Sequence, residues 1–428
     1  MLQLVNVGHK SLADYATIAT RGLMDEIRAL AEPLAGARVL ELSATAFGGG
    51  VAEIQYTLVP LMQDAGLDVE WRIIRGADEF FAVTKAIHNA LQGNPQGLTE
   101  EQRACFSRFQ ELNAREIDAD AYDFVVVHDP QPVGVIDHIG GGAAKWAWRG
   151  HIDFSTPNQD VFDILLPSLR HYDASIFHMR GYAPQADGLG RVVIWPPAID
   201  PLQPKNMALS PEDAAYIVDQ FGIDVERPLL TQVSRFDPWK DPLGVIDAYR
   251  LVKAEHPDVQ LALVGSMAHD DPEGWDYYNR TVNYAGGDPD VYILSNLNNI
   301  GSVEVNAFQV HSAAAIQKST KEGFGLTVTE ALWKTRPMVA SRVGGIVAQI
   351  QDGETGWLVD PHSPEECARA CIEILADPIS ARQRALRGKE YVRRNFLMPR
   401  LLRDWLVLLN KLEGNDTAGA EVVTAAAV

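Results

Sequence analysis

The chain has 428 residues, 46% of them apolar, which suits two packed domains because single hydrophobic cores stop growing beyond roughly 250–300 residues. Its 37 basic residues against 57 acidic ones give a net charge of −20, which opposes binding to nucleic acid or to anionic membranes. Three cysteines without metal-ligand spacing, no export signal at the start of the sequence and no long apolar run lead us to expect a cytoplasmic protein with small-molecule partners.

Short apolar runs alternate with amphipathic segments along the chain, which is the pattern of βαβ units around a parallel sheet. The strands predicted in the first half are 37–44, 68–74, 122–128, 145–152, 174–178 and 191–194. Three prolines in WPPAIDP, residues 195–201, cannot continue a strand or a helix. This segment marks the predicted boundary between a first domain at 1–197 and a second at 198–395.

The second half repeats the architecture. Its predicted strands are 228–234, 258–265, 290–295, 313–319 and 337–341. An amphipathic helix at 396–413 is expected to pack back across the junction, and the tail 414–428 is expected to be disordered. The predicted fold class is therefore α/β, with two Rossmann-like doubly wound domains facing each other across a cleft. Ligands of such sheets bind beyond the carboxyl ends of the strands.

The segment TKEGFGLTVTEAL, residues 320–332, follows a predicted strand and begins a helix near Leu326. Its Gly-Phe-Gly turn at 323–325 would lie at a helix N-terminus, where unpaired N–H groups and the helix dipole attract a phosphate or a sugar oxygen. Glu322 and Glu330 would then accept hydrogen bonds from hydroxyl groups on either side. For an isolated pair of glutamates with this spacing, two solvated helix residues are the better interpretation. The neighbouring sequence therefore decides whether Glu322 and Glu330 belong to a binding site.

Two cations lie at the same predicted edge of the sheet. SRFDPWKDP, residues 234–242, places Arg235 just after a strand and Lys240 just before a helix. A diphosphate needs neutralising charge and directional donors, and an arginine and a lysine beside a helix N-terminus supply both. The sequence therefore predicts a diphosphate site here. Two acidic D-x-D strings, at 118–120 and 288–290, precede strands in turns and are interpreted as turns rather than metal sites.

These motifs, together with VASRVGGI (339–346) and DGETGWLVDP (352–361), resemble the nucleotide-sugar half of retaining glycosyltransferases of the two-Rossmann, glycogen-synthase-like class, known as GT-B. The resemblance implies that Arg235 and Lys240 bind the donor phosphates and that Glu330 binds the nucleotide ribose. It implies that the donor sugar is held by Glu322, Gly323, Phe324, Gly325 and Leu326.

Polar segments in the first half indicate a second binding surface. FGGGVAE (47–53) is a glycine loop between a strand and a helix, which suits a sugar cradle or a tight turn. HDPQP (128–132) and WRGHIDFS (148–155) end two further strands with histidines and acids. FFAVTKAIHNALQG (80–93) places one polar stripe on a helix by its three-and-four spacing, formed by Lys85, His88, Asn89 and Gln92.

Together these four segments resemble the trehalose glycosyltransferring synthases and the related retaining trehalose phosphorylases. The likeness implies that the glycine loop at 48–50 lines the sugar site, with Gly49 and Gly50 against the donor. It implies that the acceptor glucose is bound by Lys85, His88, Asn89, Gln92, Arg149 and Asp153. The catalytic residues implied are Arg235, Lys240, Glu322, His151 and Asp153. No metal and no cofactor is expected to be required, with Mg²⁺ at most a stimulant.

The expected reaction is reversible, retaining transfer of glucose from a nucleoside-diphosphate glucose to free glucose, giving α,α-trehalose. A phosphorylase using glucose 1-phosphate is the nearest alternative, followed by a nucleotide-sugar 2-epimerase and a non-catalytic sugar sensor. The segment 295–301 is a candidate for contacts with the base, whose identity stays open. A homodimer is expected because Trp405 lies on an amphipathic helix and would be exposed.

Overall fold

The structure is a computed structural model and describes residues 2–47, 49–139, 142–184, 186–267 and 272–415. Its strands are β1 (Gln3–Leu4), β2 (Arg38–Ser43), β3 (Asp68–Ile73), β4 (Phe124–His128), β5 (Lys145–Arg149), β6 (Ala174–Phe177), β7 (Arg191–Ile194), β8 (Leu229–Val233), β9 (Gln260–Val264), β10 (Val291–Leu294), β11 (Ala314–Gln317), β12 (Met338–Ser341) and β13 (Trp357–Val359). Its helices are α1 (Arg21–Ala31), α2 (Gly49–Asp64), α3 (Asp78–Leu91), α4 (Glu100–Ala114), α5 (Gln159–Leu169), α6 (Pro211–Asp219), α7 (Pro242–Glu255), α8 (Pro272–Ala285), α9 (Ser302–His311), α10 (Leu326–Trp333), α11 (Pro364–Ala376), α12 (Pro378–Asn395) and α13 (Met398–Glu413).

One compact unit comprises the chain up to Ala198 and the described residues from Met398 onward. Its strands form a sheet in the order β1-β3-β2-β4-β5-β6-β7, in which every neighbouring pair is parallel except β1 with β3. Helices α1, α2 and α13 pack on one face, and α3, α4 and α5 pack on the other. Because both faces are covered, central strands such as β4, with the sequence FVVVH, are buried along their whole length.

The other unit comprises Ile199–Leu397. Its sheet has the order β10-β9-β8-β11-β12-β13 and is parallel throughout. Helices α7, α8, α11 and α12 contribute to the core on one face, and α6 and α9 pack on the other. The predicted boundary segment 195–201 contains the point at which the first unit ends.

The predicted fold class is confirmed, since each unit is a mostly parallel sheet with helices on both faces. Each predicted strand is present, with ends that agree within three residues. The prediction missed β1 and β13, which have two and three residues and pair only at the edges of their sheets. Strands this short carry no periodic signal. In the described ranges, no helix is long and apolar enough to span a bilayer.

Helix α13 is almost entirely buried and packs against α1 and α2 of its own unit. The prediction that Trp405 is exposed is wrong: its side chain is 0% exposed, and its ring lies edge-on to that of Trp195 with the centroids 5.2 Å apart. Arg403 extends from the helix to Glu26, with its Nε 2.8 Å from Oε1. The amphipathic pattern of α13 therefore reflects internal packing and no longer supports a homodimer.

Candidate functional site

In the second unit, strands β8 and β11 are parallel neighbours although β9 follows β8 in the chain, so the winding of the sheet reverses between them. Ligands of doubly wound sheets bind at such a point, beyond the carboxyl ends of the strands. The segment 234–241 follows β8, and the segment 318–325 follows β11. The residues predicted to bind the donor on these two segments therefore lie at one edge of one sheet.

Lys240 and Glu322 form an ion pair at this edge. The Lys240 Nζ donates to Glu322 Oε2 at 2.5 Å, and the two side chains are only 14% and 10% exposed. Ser319 Oγ donates to the same carboxylate oxygen at 3.2 Å. An ion pair with this little exposure is screened less than a surface pair. The structure thus brings together two of the predicted catalytic residues.

Two aspartates hold the backbone around Lys240. Asp237 Oδ1 accepts hydrogen bonds from the amides of Trp239 at 2.9 Å and Lys240 at 3.1 Å. Asp241 has a φ of 45° and caps α7 by accepting from the Gly244 amide at 3.1 Å. Aspartate is one of the few residues that tolerate this left-handed conformation. The DPWKD sequence therefore fixes the backbone position from which the Lys240 side chain extends.

Arg235 lies on the same segment but outside the pair between Lys240 and Glu322. Its side chain is 64% exposed, and its Nη2 lies 3.3 Å from Asp237 Oδ2. An ion pair with such an exposed partner contributes little to stability. The guanidinium therefore remains accessible to an anionic ligand at the rim.

The Gly-Phe-Gly turn precedes α10, which begins at Leu326 as predicted. Gly325 has a φ of 81°, a conformation that favours glycine. A Cβ atom at Gly323 would have no heavy atom within 4 Å, so the backbone there is open. On the opposite side Gly345 packs closely, since a Cβ there would lie 2.6 Å from Gly323 O and from Phe324 Cα. The turn is therefore packed against Gly345 on one side, while the backbone at Gly323 has open space on the other.

We expect Gly323→Ala to weaken donor binding and leave the fold intact. The added methyl group meets no protein atom within 4 Å, but it would obstruct a ligand that approaches the bare backbone. The KM for the donor should rise about tenfold, which corresponds to about 1.4 kcal/mol. Gly97→Ala is the matched control, because a Cβ atom there also has no heavy atom within 4 Å. An unchanged KM would remove the turn from the donor site.

Glu330 lies on α10 and is 0% exposed. Its Oε1 lies 2.8 Å from Lys205 Nζ, and Gln309 Nε2 donates to its Oε2 at 3.5 Å. Burial acts to raise the pKa of Glu330, but the positive charges of Lys205 and Lys334 outweigh burial and lower it. The Glu330 carboxylate is therefore paired with Lys205 in this structure, and its assignment to the nucleotide ribose stays a prediction.

The first unit has its own change of winding, between β2 and β4, and a buried polar chain lies there. His128 Nε2 lies 2.6 Å from Glu41 Oε2, and His128 Nδ1 lies 2.9 Å from His151 Nε2. Gln55 Nε2 donates to the same oxygen of Glu41 at 3.0 Å. Glu41 and His128 are buried, whereas His151 is partly exposed. His151, which is predicted to be catalytic, is therefore the outer member of a series of polar contacts that begins at the buried carboxylate of Glu41.

The environment keeps His151 neutral. Burial, followed by the positive charge of Arg149 and by the neighbouring imidazoles of His128 and His178, lowers the pKa of His151 well below the usual value. Burial and Arg149 also lower the pKa of His178, to about 3. A neutral imidazole donates through one nitrogen and accepts through the other. The chemical behaviour of His151 therefore depends on its tautomer rather than on its charge.

The polar stripe of α3 is confirmed as a helix face. The residues on its opposite side are buried, namely Val83, Ile87 and Ala90. Lys85 is exposed, and His88 lies on the stripe with its Nδ1 3.1 Å from Gln92 Nε2. Burial raises the pKa of Asp129, and His88 is among the groups whose charge opposes this shift. Because Asp129 accepts a hydrogen bond from the His151 amide at 2.8 Å, the stripe lies within electrostatic range of the histidine chain.

Two further predictions concern the loops of this unit. Gly49 and Gly50 are the first residues of α2 rather than part of a loop, which corrects the prediction, and Gly48 lies outside the described residues. Asp153 is partly exposed, and its Oδ1 accepts from the Ser155 amide at 2.8 Å. Its position four residues after the end of β5 keeps it on the same loop as His151.

Arg149 is 0% exposed, and its assignment as an acceptor ligand stays a prediction. Its Cζ lies 5.9 Å from the ring centroids of both Trp195 and Trp405. Within the described part of the chain, its three guanidinium nitrogens have no hydrogen-bond partner. Burial, together with the charge of Arg400, lowers the pKa of Arg149 to about 9. The side chain thus points into the layer beneath α13.

Sequence reasoning missed Glu41, Gln55 and Lys205. Glu41 could have been found, because a glutamate between two leucines in ARVLELSA is unusual on a strand buried on both faces. Nothing in the local sequence distinguishes Lys205 from a surface lysine.

Two doubly wound units, each with polar residues beyond the strand ends at its change of winding, form the fold of the GT-B class. Sucrose-phosphate synthase from Thermosynechococcus elongatus has this fold, with a TM-score of 0.70 at 18% identity over 88% of this chain and 99% of that one. The α,α-trehalose 6-phosphate synthase from Burkholderia multivorans gives a TM-score of 0.67 at 17% identity over 89% of this chain and 99% of that one.

Residues 41–184 match the family model of the trehalose synthase N-terminal domain, and residues 215–391 match the model of glycosyl transferases group 1. The chain is 59% identical to the trehalose synthase of Rubrobacter xylanophilus over 97% of this chain and 100% of that protein. It is 45% identical to the trehalose synthase of Thermococcus litoralis over 94% of this chain and 97% of that protein. The chain belongs to the trehalose synthase family and is a glycosyltransferase.

Trehalose phosphorylases are more distant relatives. The enzyme of Pleurotus pulmonarius is 27% identical over 86% of this chain but only 56% of its own length. The predicted kinship with phosphorylases is therefore confirmed, at lower similarity than the kinship with synthases.

Proposed function

We propose that this enzyme transfers glucose, with retention, from a nucleoside-diphosphate glucose to the anomeric hydroxyl of free glucose. The observation that carries the proposal is the ion pair of Lys240 and Glu322 beside the open turn at 323–325. A cation and helix N-terminal amides suit a diphosphate, and an adjoining carboxylate suits the hydroxyl groups of the attached sugar. The 59% identity to a trehalose synthase supports trehalose as the product.

In this reaction the bond from the donor C1 to its phosphate oxygen breaks, and a bond from C1 to the acceptor oxygen forms. The proton of the acceptor hydroxyl passes to the departing phosphate, so the nucleoside diphosphate and α,α-trehalose are the products. Same-face displacement of this kind retains the configuration at C1. Lys240 and Arg235 stabilise the negative charge that develops on the leaving diphosphate. These two cations and the dipole of α10 provide the charge compensation, so we propose that no metal ion is required.

The first unit would bind the acceptor. His151 is the partly exposed end of the chain from Glu41, and Asp153 lies on the same loop. His88 and Gln92 on α3 add polar groups within electrostatic range of Asp129. Such alternating donors and acceptors match the hydroxyl groups of glucose.

A phosphorylase reaction is the second candidate, and the burial of Glu330 favours it. A phosphorylase needs a phosphate site but no ribose contact, and in the free protein the Glu330 carboxylate is occupied by Lys205. The higher identity to synthases argues in the other direction. The donor therefore has to be identified by experiment.

Purified enzyme should be incubated with glucose and with UDP-, ADP-, GDP- or TDP-glucose, and in parallel with glucose 1-phosphate. We expect stoichiometric trehalose and free nucleoside diphosphate from at least one nucleotide sugar. Trehalose from glucose 1-phosphate alone would establish the phosphorylase instead. Epimerised nucleotide sugar, or binding without turnover, would contradict both reactions.

A further inference from the structure

Glu41 is a fully buried carboxylate in the interior of β2, a strand with neighbours on both sides. A charged group in such a place is costly unless it is paired or hydrogen-bonded. The hydrogen bonds that Glu41 receives come from Gln55 and His128, neither of which carries a permanent positive charge. Its arrangement therefore resembles that of an orienting carboxylate at one end of a series of hydrogen bonds.

The contact between Glu41 and His128 sets the direction of the hydrogen bonds, and Gln55 Nε2 also lies 2.5 Å from His128 Nε2. A carboxylate accepts hydrogen bonds, so the Glu41 oxygen 2.6 Å from His128 Nε2 favours a proton on that nitrogen. With its proton on Nε2, His128 can accept at Nδ1 from His151 Nε2–H, and these two nitrogens lie 2.9 Å apart. His151 in turn has its lone pair on Nδ1. In the ranges that the structure describes, no hydrogen bond to His151 Nδ1 occurs.

We propose that Glu41 is a positioning residue which, through His128, fixes the tautomer of His151 so that His151 Nδ1 accepts a hydrogen bond from a sugar hydroxyl. This inference rests on the proposed function, because it assigns the hydroxyl to a sugar substrate. It concerns residues that do not touch the substrate, since Glu41 and His128 are buried.

The surroundings of His151 make the tautomer decisive. The ring stays neutral next to Arg149 and His178, so protonation does not select donor or acceptor character. The His151 amide donates to Asp129 Oδ1 at 2.8 Å, which fixes the backbone position from which the imidazole extends. A sugar hydroxyl can either donate or accept. An unprotonated Nδ1 can only accept, so a sugar hydroxyl that contacts it must donate. The direction of this hydrogen bond orients the hydroxyl oxygen and its lone pairs.

The first test reads the tautomer directly. Imidazole ¹⁵N chemical shifts should be measured for the wild-type enzyme and for Glu41→Gln, without substrate. We expect the wild-type His151 to be neutral with its proton on Nε2. The amide of the variant can donate to His128 Nε2 as well as accept from it, so both tautomers of His151 should become populated. A proton on Nδ1 of wild-type His151, or an unchanged tautomer in the variant, would overturn the proposal.

The second test is kinetic. Glu41→Gln should lower kcat by about 10–100-fold, the value of one charge-assisted hydrogen bond, with less than a twofold change in the donor KM. Glu70→Gln on β3 is the matched control, because Glu70 pairs with Arg72 and does not contact the histidines. A loss that merely follows the folded fraction, measured by circular dichroism, would speak for a structural role and against the proposal.

The two tests also separate this inference from the proposed function. If the wild-type enzyme makes no trehalose from any nucleotide sugar, the proposed function fails, while the ¹⁵N measurement on the free enzyme still decides the tautomer. If the enzyme makes trehalose but Glu41→Gln retains full kcat, the positioning role alone fails.

Discussion

The Lys240→Met enzyme should lose roughly 10²–10³ in kcat, the range found when a group that stabilises developing negative charge is removed. Lys240 is held by the caps at Asp237 and Asp241 before any ligand arrives, so its charge needs little reorganisation during the reaction. Methionine keeps the approximate length of the side chain and removes the charge. Initial rates of trehalose formation at saturating donor would measure the effect.

The same substitution leaves Glu322 without its cation in a mostly buried position. The hydrogen bond from Ser319 remains, so we expect the free energy of unfolding to fall by only about 1–3 kcal/mol. A protein this little destabilised stays folded at the assay temperature. The kinetic loss can therefore be assigned to chemistry.

Lys253→Met is the matched control. Lys253 also forms a partly buried ion pair, with Asp290, but Asp290 immediately precedes β10 and so lies at the amino edge of the same sheet, opposite the site. Arg227 remains 2.7 Å from that aspartate when the lysine is removed. Lys253→Met should keep kcat within about threefold of the wild type, since ordinary surface changes stay small. Equal losses in both variants would refute a specific role for Lys240.

Replacing Arg149 by methionine should raise the thermal stability of the first unit. The guanidinium is fully buried and makes no hydrogen bond within the described residues, so the fold bears the cost of desolvating its charge. Replacing buried ions by apolar side chains of similar size has stabilised proteins by about 1–4 kcal/mol. Differential scanning calorimetry should therefore show a higher unfolding temperature.

Arg400→Met gives a matched contrast in the same layer. Arg400 is also buried, but its Nη1 donates to Asp404 at 2.8 Å and its Nη2 donates to the carbonyl oxygens of Pro196 and Pro197. Removing it should cost about 3 kcal/mol, because buried acceptors lose their donor. Opposite signs for the two arginines would confirm the argument, and destabilisation by Arg149→Met would contradict it. The KM for glucose in Arg149→Met decides separately whether this side chain serves the acceptor.

The local sequence predicted much of this architecture. Apolar runs between turns located the strands, and the position of Leu326 at the start of α10 followed from a glycine turn after a strand. Lys240 and Glu322 could be assigned to one edge because each follows a strand of the same parallel sheet. These features depend on residues close together in the chain, for which turn chemistry and periodicity are reliable guides.

Other features required the folded chain. Glu41 and His128 are 87 residues apart, and they meet because β4 pairs with β2 although β3 intervenes in sequence. Arg149 and Trp405 are buried because α13 returns to the first sheet from the end of the chain. The sequence alone thus determined which residues follow which strand, whereas tertiary structure decided which of them are enclosed and which of them meet. Burial and long-range pairing depend on strand order and helix packing, and neither is encoded in any one segment.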